Sequence, residues 1–172
     1  MDANATVVLR PAVAADGTAI EAILYDTFES TWRPNLTEEA ARAFRAESRP
    51  AAYVARRGLE FWLVERDGEV VGFVDWEADF VNALHVRADH ARTGIGGRLM
   101  DKAEHEIALA GFPTARLETD TFNVRSRAFY AGRGYREAAR YPDEEWSSGL
   151  VTILLVKSLT QAPRKRRAGG AG

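Results

Sequence analysis

Hydrophobic positions along the 172-residue chain follow two periods. Between Asp16 and Glu29, residues Ile20, Ile23, Leu24 and Phe28 recur at helical spacing and predict an amphipathic helix. A short edge strand over Thr6 to Arg10 precedes it. Thr37 followed by Glu38 and Glu39 offers a hydroxyl acceptor and first-turn acids, which mark the start of a second helix over "EEAARAFRAE". The aromatic-bearing stretch "STWRPNL" between them reads as a loop.

From Glu60 the texture changes. "EFWLVERDGEVVGFVDWEADFVNALHV" is rich in branched and aromatic residues, and Asp67-Gly68 is a two-residue hairpin signal. Three antiparallel strands are predicted, over 61–66, 69–76 and 80–87. The helical period then returns, with Ile95, Leu99, Ala103, Ile107 and Ala110 on one face and Gly111 as the stop. A strand "ARLET", a helix from Asn123 to Ala131, and strands in "GYREAARY" and "LVTILLVKSL" complete a single mixed α/β domain over 1–160. No internal repeat is present.

Composition narrows the class. With 46% hydrophobic residues the chain can bury one sizeable core, and a net charge of −2 argues against a nucleic-acid partner, which would need a basic face. The absence of cysteine excludes disulfides, thiolate metal sites and a cysteine nucleophile, and no metal is expected. There is no apolar run of membrane-spanning length and no basic-then-apolar start, so a cytoplasmic protein without a membrane partner is the expectation. The segment 161–172, "QAPRKRRAGGAG", is basic and rich in glycine and alanine, and is expected to be disordered.

The chemistry concentrates in "ARTGIGG". A P-loop would place lysine and a hydroxyl residue after its last glycine, where Gly97 and Arg98 stand. A dinucleotide fingerprint would place glycine at Leu99; Glu118, about twenty residues on, suits it, but the surrounding antiparallel meander does not. Two readings remain: a glycine-rich tight turn with no ligand, and, favoured, a pyrophosphate bound by backbone N–H groups at the start of the helix near Gly94, where the first N–H groups lack intrahelical partners. Glycines let phosphate approach closely, and Arg92 and Arg98 add charge.

"LHVRADHARTGIGGRLM" resembles motif A of the GNAT-type N-acetyltransferase superfamily, a strand followed by Gln/Arg-x-x-Gly-x-Gly/Ala and a helix. "NVRSRAFYAGRGY" resembles motif B of the same family. Together they span 80–136, with Ala91 departing from the usual Gln/Arg. The resemblance implies a mostly antiparallel, splayed mixed sheet flanked by helices, and acetyl-coenzyme A as cofactor. Its pantetheine would lie along Leu84, His85 and Val86, and its pyrophosphate on Arg92, Thr93, Gly94, Ile95, Gly96, Gly97 and Arg98. The Val86 N–H would receive the oxyanion. A ternary complex with an amine, either a small molecule or a peptide N-terminus, and a homodimer are the family expectations. A non-catalytic acyl-coenzyme A sensor is the alternative.

By the same resemblance Tyr130 protonates the departing thiolate and Glu118 acts as general base, with an ordinary packed tyrosine and a solvated acid as the competing readings. Asn123 either contacts pantetheine or caps its helix. Alternation puts Glu118 and Asp120 on one strand face, opposite Leu117 and Thr119. Asp75, Glu77 and Asp79 are alternative bases expected at the surface, and His85 is either a further candidate base or, as its flanking Leu84 and Val86 favour, a packed residue. Tyr25, Phe28, Trp32 and Asp120 are the candidate acceptor-binding residues, and the surplus of acids favours a cationic amine.

Overall fold

The structure is a computed structural model that describes residues 6–143 and 148–159. The segment 161–172, and residues 144–147 before the last strand, lie outside the described residues. Strand β1 (Val7–Pro11) pairs with β2 (Trp62–Arg66), which turns into β3 (Glu69–Glu77). Asp67 and Gly68 take φ of 52° and 83°, the two left-handed residues that this tight hairpin requires. β3 pairs with β4 (Phe80–Val86), and the chain continues through α4 (Ile95–Leu109), β5 (Thr114–Asp120), α5 (Val124–Gly132), β6 (Arg136–Pro142) and β7 (Val151–Ser158). The first helices are α1 (Gly17–Thr27), α2 (Glu38–Ala46) and α3 (Arg49–Arg57). The seven strands run β1-β2-β3-β4-β5-β7-β6, all antiparallel except β4 with β5, so the predicted mixed sheet is the observed one.

Both sheet faces are covered. Ile95, Leu99, Ala103 and Ile107 of α4 pack on Val64, Val71, Val74 and Val81, while Ile20 and Ile23 of α1 cover Phe61, Leu63 and Phe73. Thr37 caps α2 as predicted, accepting from the Ala40 N–H at 3.2 Å.

Four expectations change. Ala110, predicted on the buried face of α4, is exposed, because the helix ends at Leu109 and the chain turns at Gly111 with φ 96°. Helix α3 is unpredicted, since "RPAAYVARR" has only Tyr53 and Val54 as large apolar residues to signal a period. The "STWRPNL" loop is instead a continuation of α1, a π-helical turn over Phe28–Trp32 and a tight turn over Arg33–Asn35. In an α-helix Trp32 would lie above Phe28; the wider turn moves it off that stripe. Asp75, expected at the surface, is fully buried. Arg57 reaches it from α3 at 2.8 and 2.9 Å, the Tyr53 hydroxyl donates at 2.6 Å, and Asn82 donates at 3.1 Å from a register shift in β4. Helix α3 is what covers it.

Candidate active site

The parallel strands β4 and β5 share only the pairs Phe80 with Arg116 and Val81 with Leu117. Beyond them β4 runs on to Val86 and β5 to Asp120, and the two arms open as a V. The Arg87 N–H donates to the Val71 carbonyl on β3 at 2.9 Å. Backbone groups of successive strand residues point to opposite edges, so Val86 and Leu84 turn theirs into the gap and His85 turns its own toward β3. Of the three residues expected along pantetheine, Leu84 and Val86 therefore offer a free backbone edge. His85 is distinguished by its side chain.

Helix α4 opens at the mouth of this gap. Its cap, Gly94, has φ 87° and no side chain to fold back onto the first N–H groups. Gly72, which the sequence reading passed over, holds the junction together: a Cβ there would lie 2.8 Å from the His85 carbonyl oxygen and 3.3 Å from Ile95 Cγ2. Gly96 is different. A Cβ there would meet the Phe129 ring at 3.5 Å and Val86 Cγ2 at 3.8 Å, ordinary contacts, so internal packing does not demand glycine. The glycine leaves the start of the helix open to a group approaching from outside. Thr93 steadies the loop by donating to the His90 carbonyl at 2.6 Å, and Arg92, with φ 62°, and Arg98 are exposed beside it. Arg133, also unpredicted, reaches toward the Gly97 carbonyl from the end of α5 and pairs with Asp101 at 2.7 Å and Glu104 at 3.1 Å.

On the α4 and α5 side of the sheet, Tyr130 is buried against the edges of Phe129 and Tyr135, with ring centroids at 5.1 and 5.6 Å. Burial pushes its phenol well above the ordinary value of 10, which keeps the proton on oxygen. Asn123 accepts from the Ser126 N–H at 3.0 Å, so its capping role is in place.

The opposite face carries the other candidates. Thr119 hydrogen-bonds Ser126 at 3.0 Å on the α5 side, leaving Glu118 and Asp120 together on the far face, as alternation predicts. Glu118 is exposed and accepts from the Tyr141 hydroxyl. Asp120 is half-buried and accepts from the Trp32 indole N–H at 2.8 Å. Burial first, and the nearby charges of Asp143 and Glu118 after it, raise the Asp120 carboxyl above its usual range; the Trp32 bond opposes the shift. The Trp32 ring lies 5.9 Å from that of His85, which stacks on Phe73 at 5.2 Å. His85 Nδ1 is 2.7 Å from the Thr27 hydroxyl, and burial drives the imidazole down to about 4. Thr27, His85, Trp32 and Asp120 thus bridge the two arms of the V. Phe28 stacks on Phe44 at 3.7 Å and Tyr25 meets it edge-on at 6.1 Å, so these two back the helix and Trp32 alone of the aromatic trio reaches the gap. Thr27 and Tyr141 carried no signal in sequence; each matters through partners distant along the chain.

The model of the Acetyltransferase (GNAT) family matches residues 20–135, and the chain belongs to that family. It is 33% identical over 131 residues to the blasticidin-S acetyltransferase of Streptomyces morookaense, an alignment covering 72% of this chain and 93% of that protein. Among solved structures, a GCN5-related N-acetyltransferase from Rhodopseudomonas palustris superposes with a TM-score of 0.76 at 24% identity, over 90% of this chain and 96% of the other. The PaiA N-acetyltransferase of Thermoplasma acidophilum in complex with coenzyme A gives 0.71 at 17% identity, over 89% and 99%. The chain is an acetyl-coenzyme A-dependent N-acetyltransferase, and the sensor and dinucleotide readings fall away. No helix among the described residues is long and apolar enough to cross a membrane.

Proposed function

We propose that the chain passes the acetyl group directly to the primary amine of a small cationic acceptor, with both substrates bound together. Acetyl-coenzyme A supplies the activated acyl carbon. The observation that carries this reading is the V itself: free backbone edges at Leu84 and Val86, a protonated phenol on one side of the sheet, and an acid-lined aromatic cleft on the other. The chain has no cysteine to hold the acyl group between two half-reactions. The Val86 N–H stabilises negative charge developing on the acyl oxygen, and Tyr130 donates its proton to the departing sulfur. Asn123 adds a contact to the pantetheine arm beside its capping bond. Glu118, Asp120 and Asp143 attract a cation, and the name of the Streptomyces relative supports a small-molecule acceptor.

Initial rates of thiol release, with acetyl-coenzyme A and the amine varied together over a panel that includes blasticidin S, test this reading. Intersecting reciprocal plots and preference for cationic amines are expected. Parallel plots would exclude the ternary complex, and preference for neutral or acidic acceptors would exclude the acid-lined cleft as the acceptor site.

A further inference from the structure

We propose that His85 takes the proton from the acceptor amine and that Thr27 is the positioning residue that holds its ring in the competent tautomer. This rests on the acetyl-transfer reading above. The Thr27 hydroxyl lies 3.0 Å from the Ile23 carbonyl and 3.2 Å from that of Leu24. A carbonyl only accepts; in the proposed arrangement the hydroxyl hydrogen goes to the helix backbone and the oxygen lone pair turns to His85 Nδ1 at 2.7 Å. Nδ1 therefore carries the hydrogen and Nε2 carries the lone pair. Among the described residues Nε2 has no protein partner, and it is not among the sealed polar atoms. It is a base with a free lone pair beside Phe73 and Trp32, on a strand whose next residue, Val86, turns its backbone into the gap.

The groups packed directly against the imidazole carry no charge. Helix α1 contributes Thr27, the π-helical turn contributes Trp32, and β3 contributes Phe73, with Asp75 two residues along it held by Arg57 and Tyr53. One contact further out, β5 contributes Asp120, held by Trp32. Burial alone lowers the imidazole, to about 4, so it remains unprotonated at neutral pH. Glu118, exposed and engaged by Tyr141, is left to gather the cation.

The step balances. An acceptor that arrives as an ammonium first gives one proton to solvent; the neutral amine nitrogen then bonds to the acyl carbon and the carbon–sulfur bond breaks. The amine proton passes to Nε2, the Tyr130 proton passes to sulfur, and solvent then takes the proton from His85 and restores that of Tyr130.

Two measurements on the full chain test the proposal. Long-range proton–nitrogen NMR of the His85 ring should show the Nδ1–H tautomer at pH 7, with its protonation midpoint well below 6.5, and Thr27→Val should lose that fixed tautomer. With blasticidin S and 1,4-diaminobutane as probe amines, His85→Gln should lower kcat by about 10²–10⁴-fold while keeping the melting shift produced by acetyl-coenzyme A, with partial rescue by added imidazole. Thr27→Val should lose about tenfold and Thr27→Ser should recover it. An Nε2–H tautomer, or parental kcat in His85→Gln across the pH profile, would overturn the proposal alone. A parent chain that neither responds to acetyl-coenzyme A nor releases thiol would overturn the acetyl-transfer reading beneath it.

Discussion

The two sides of the proposed site are made of different material. The proposed donor side, the free edge of β4 leading through the glycine loop into α4, presents backbone: the free edges of Leu84 and Val86, and a helix N-terminus capped by a glycine. The proposed acceptor side, the face lying toward α1, presents side chains drawn from α1, its π-helical extension, β4 and β5, linked as Thr27–His85 and Trp32–Asp120. Backbone groups recognise a phosphate and an extended arm whatever lies beyond them, so one donor can be held by a generic surface. An acceptor is selected by side chains, which vary without disturbing the sheet. Mutations should therefore separate binding of the donor from handling of the acceptor's proton.

The largest separation comes from Gly96→Leu. A Cβ there meets only ordinary contacts and replacing a helical glycine favours the helix by up to about 1 kcal/mol, so the backbone accepts the substitution, and circular dichroism of the variant checks that the longer side chain leaves the fold intact. Its side chain would block the approach of phosphate to the backbone. Both the melting shift by acetyl-coenzyme A and turnover should vanish, and a folded Gly96→Leu variant that still binds would remove the pyrophosphate site from α4.

Tyr130→Phe comes next. It keeps the packing against Phe129 and Tyr135 and removes the donor, so kcat should fall by roughly 10²–10⁴ with donor affinity unchanged. Full activity would mean that water protonates the thiolate. Arg57→Ala acts on stability: it strips the two-point partner from the fully buried Asp75, and a cost of about 3–5 kcal/mol is expected in denaturant unfolding. A neutral result would show that Tyr53 and Asn82 suffice.

Which of these residues could be read from sequence follows the same division. The run of strands, glycine loop and α4 was legible because its parts are local: glycines at fixed spacing, a helical stripe through Ile95, Leu99, Ala103 and Ile107, and a meander marked by Asp67-Gly68. Tyr130 and Asn123 came with it through motif B. The acceptor side was legible only in fragments, since Trp32 and Asp120 are 88 positions apart and Thr27 and His85 are 58 apart. Trp32 left the stripe of Phe28 through a π-helical turn that no local pattern announces, and Asp75 was misplaced because the helix that buries it was itself unread.

Asp120→Asn should give the smallest effect. The folded carboxyl is raised above 3.8, so its ionised form is worse accommodated in the folded than in the unfolded chain. That cost is absent below the ordinary value and complete above the raised one. The asparagine variant should thus melt slightly higher than the parent at pH 7, the difference closing toward pH 3, while KM for a cationic acceptor rises. A lower melting temperature at pH 7 would mean that the charged form's bond to Trp32 outweighs the burial.

The division between the two sides is tested most directly by the melting shift that acetyl-coenzyme A produces in the double variant His85→Gln, Asp120→Asn. A shift as large as the parent's, in a protein whose thiol release has fallen to background, is the predicted result. Loss of the shift together with turnover would contradict the account, because donor binding would then depend on the same side chains that handle the acceptor.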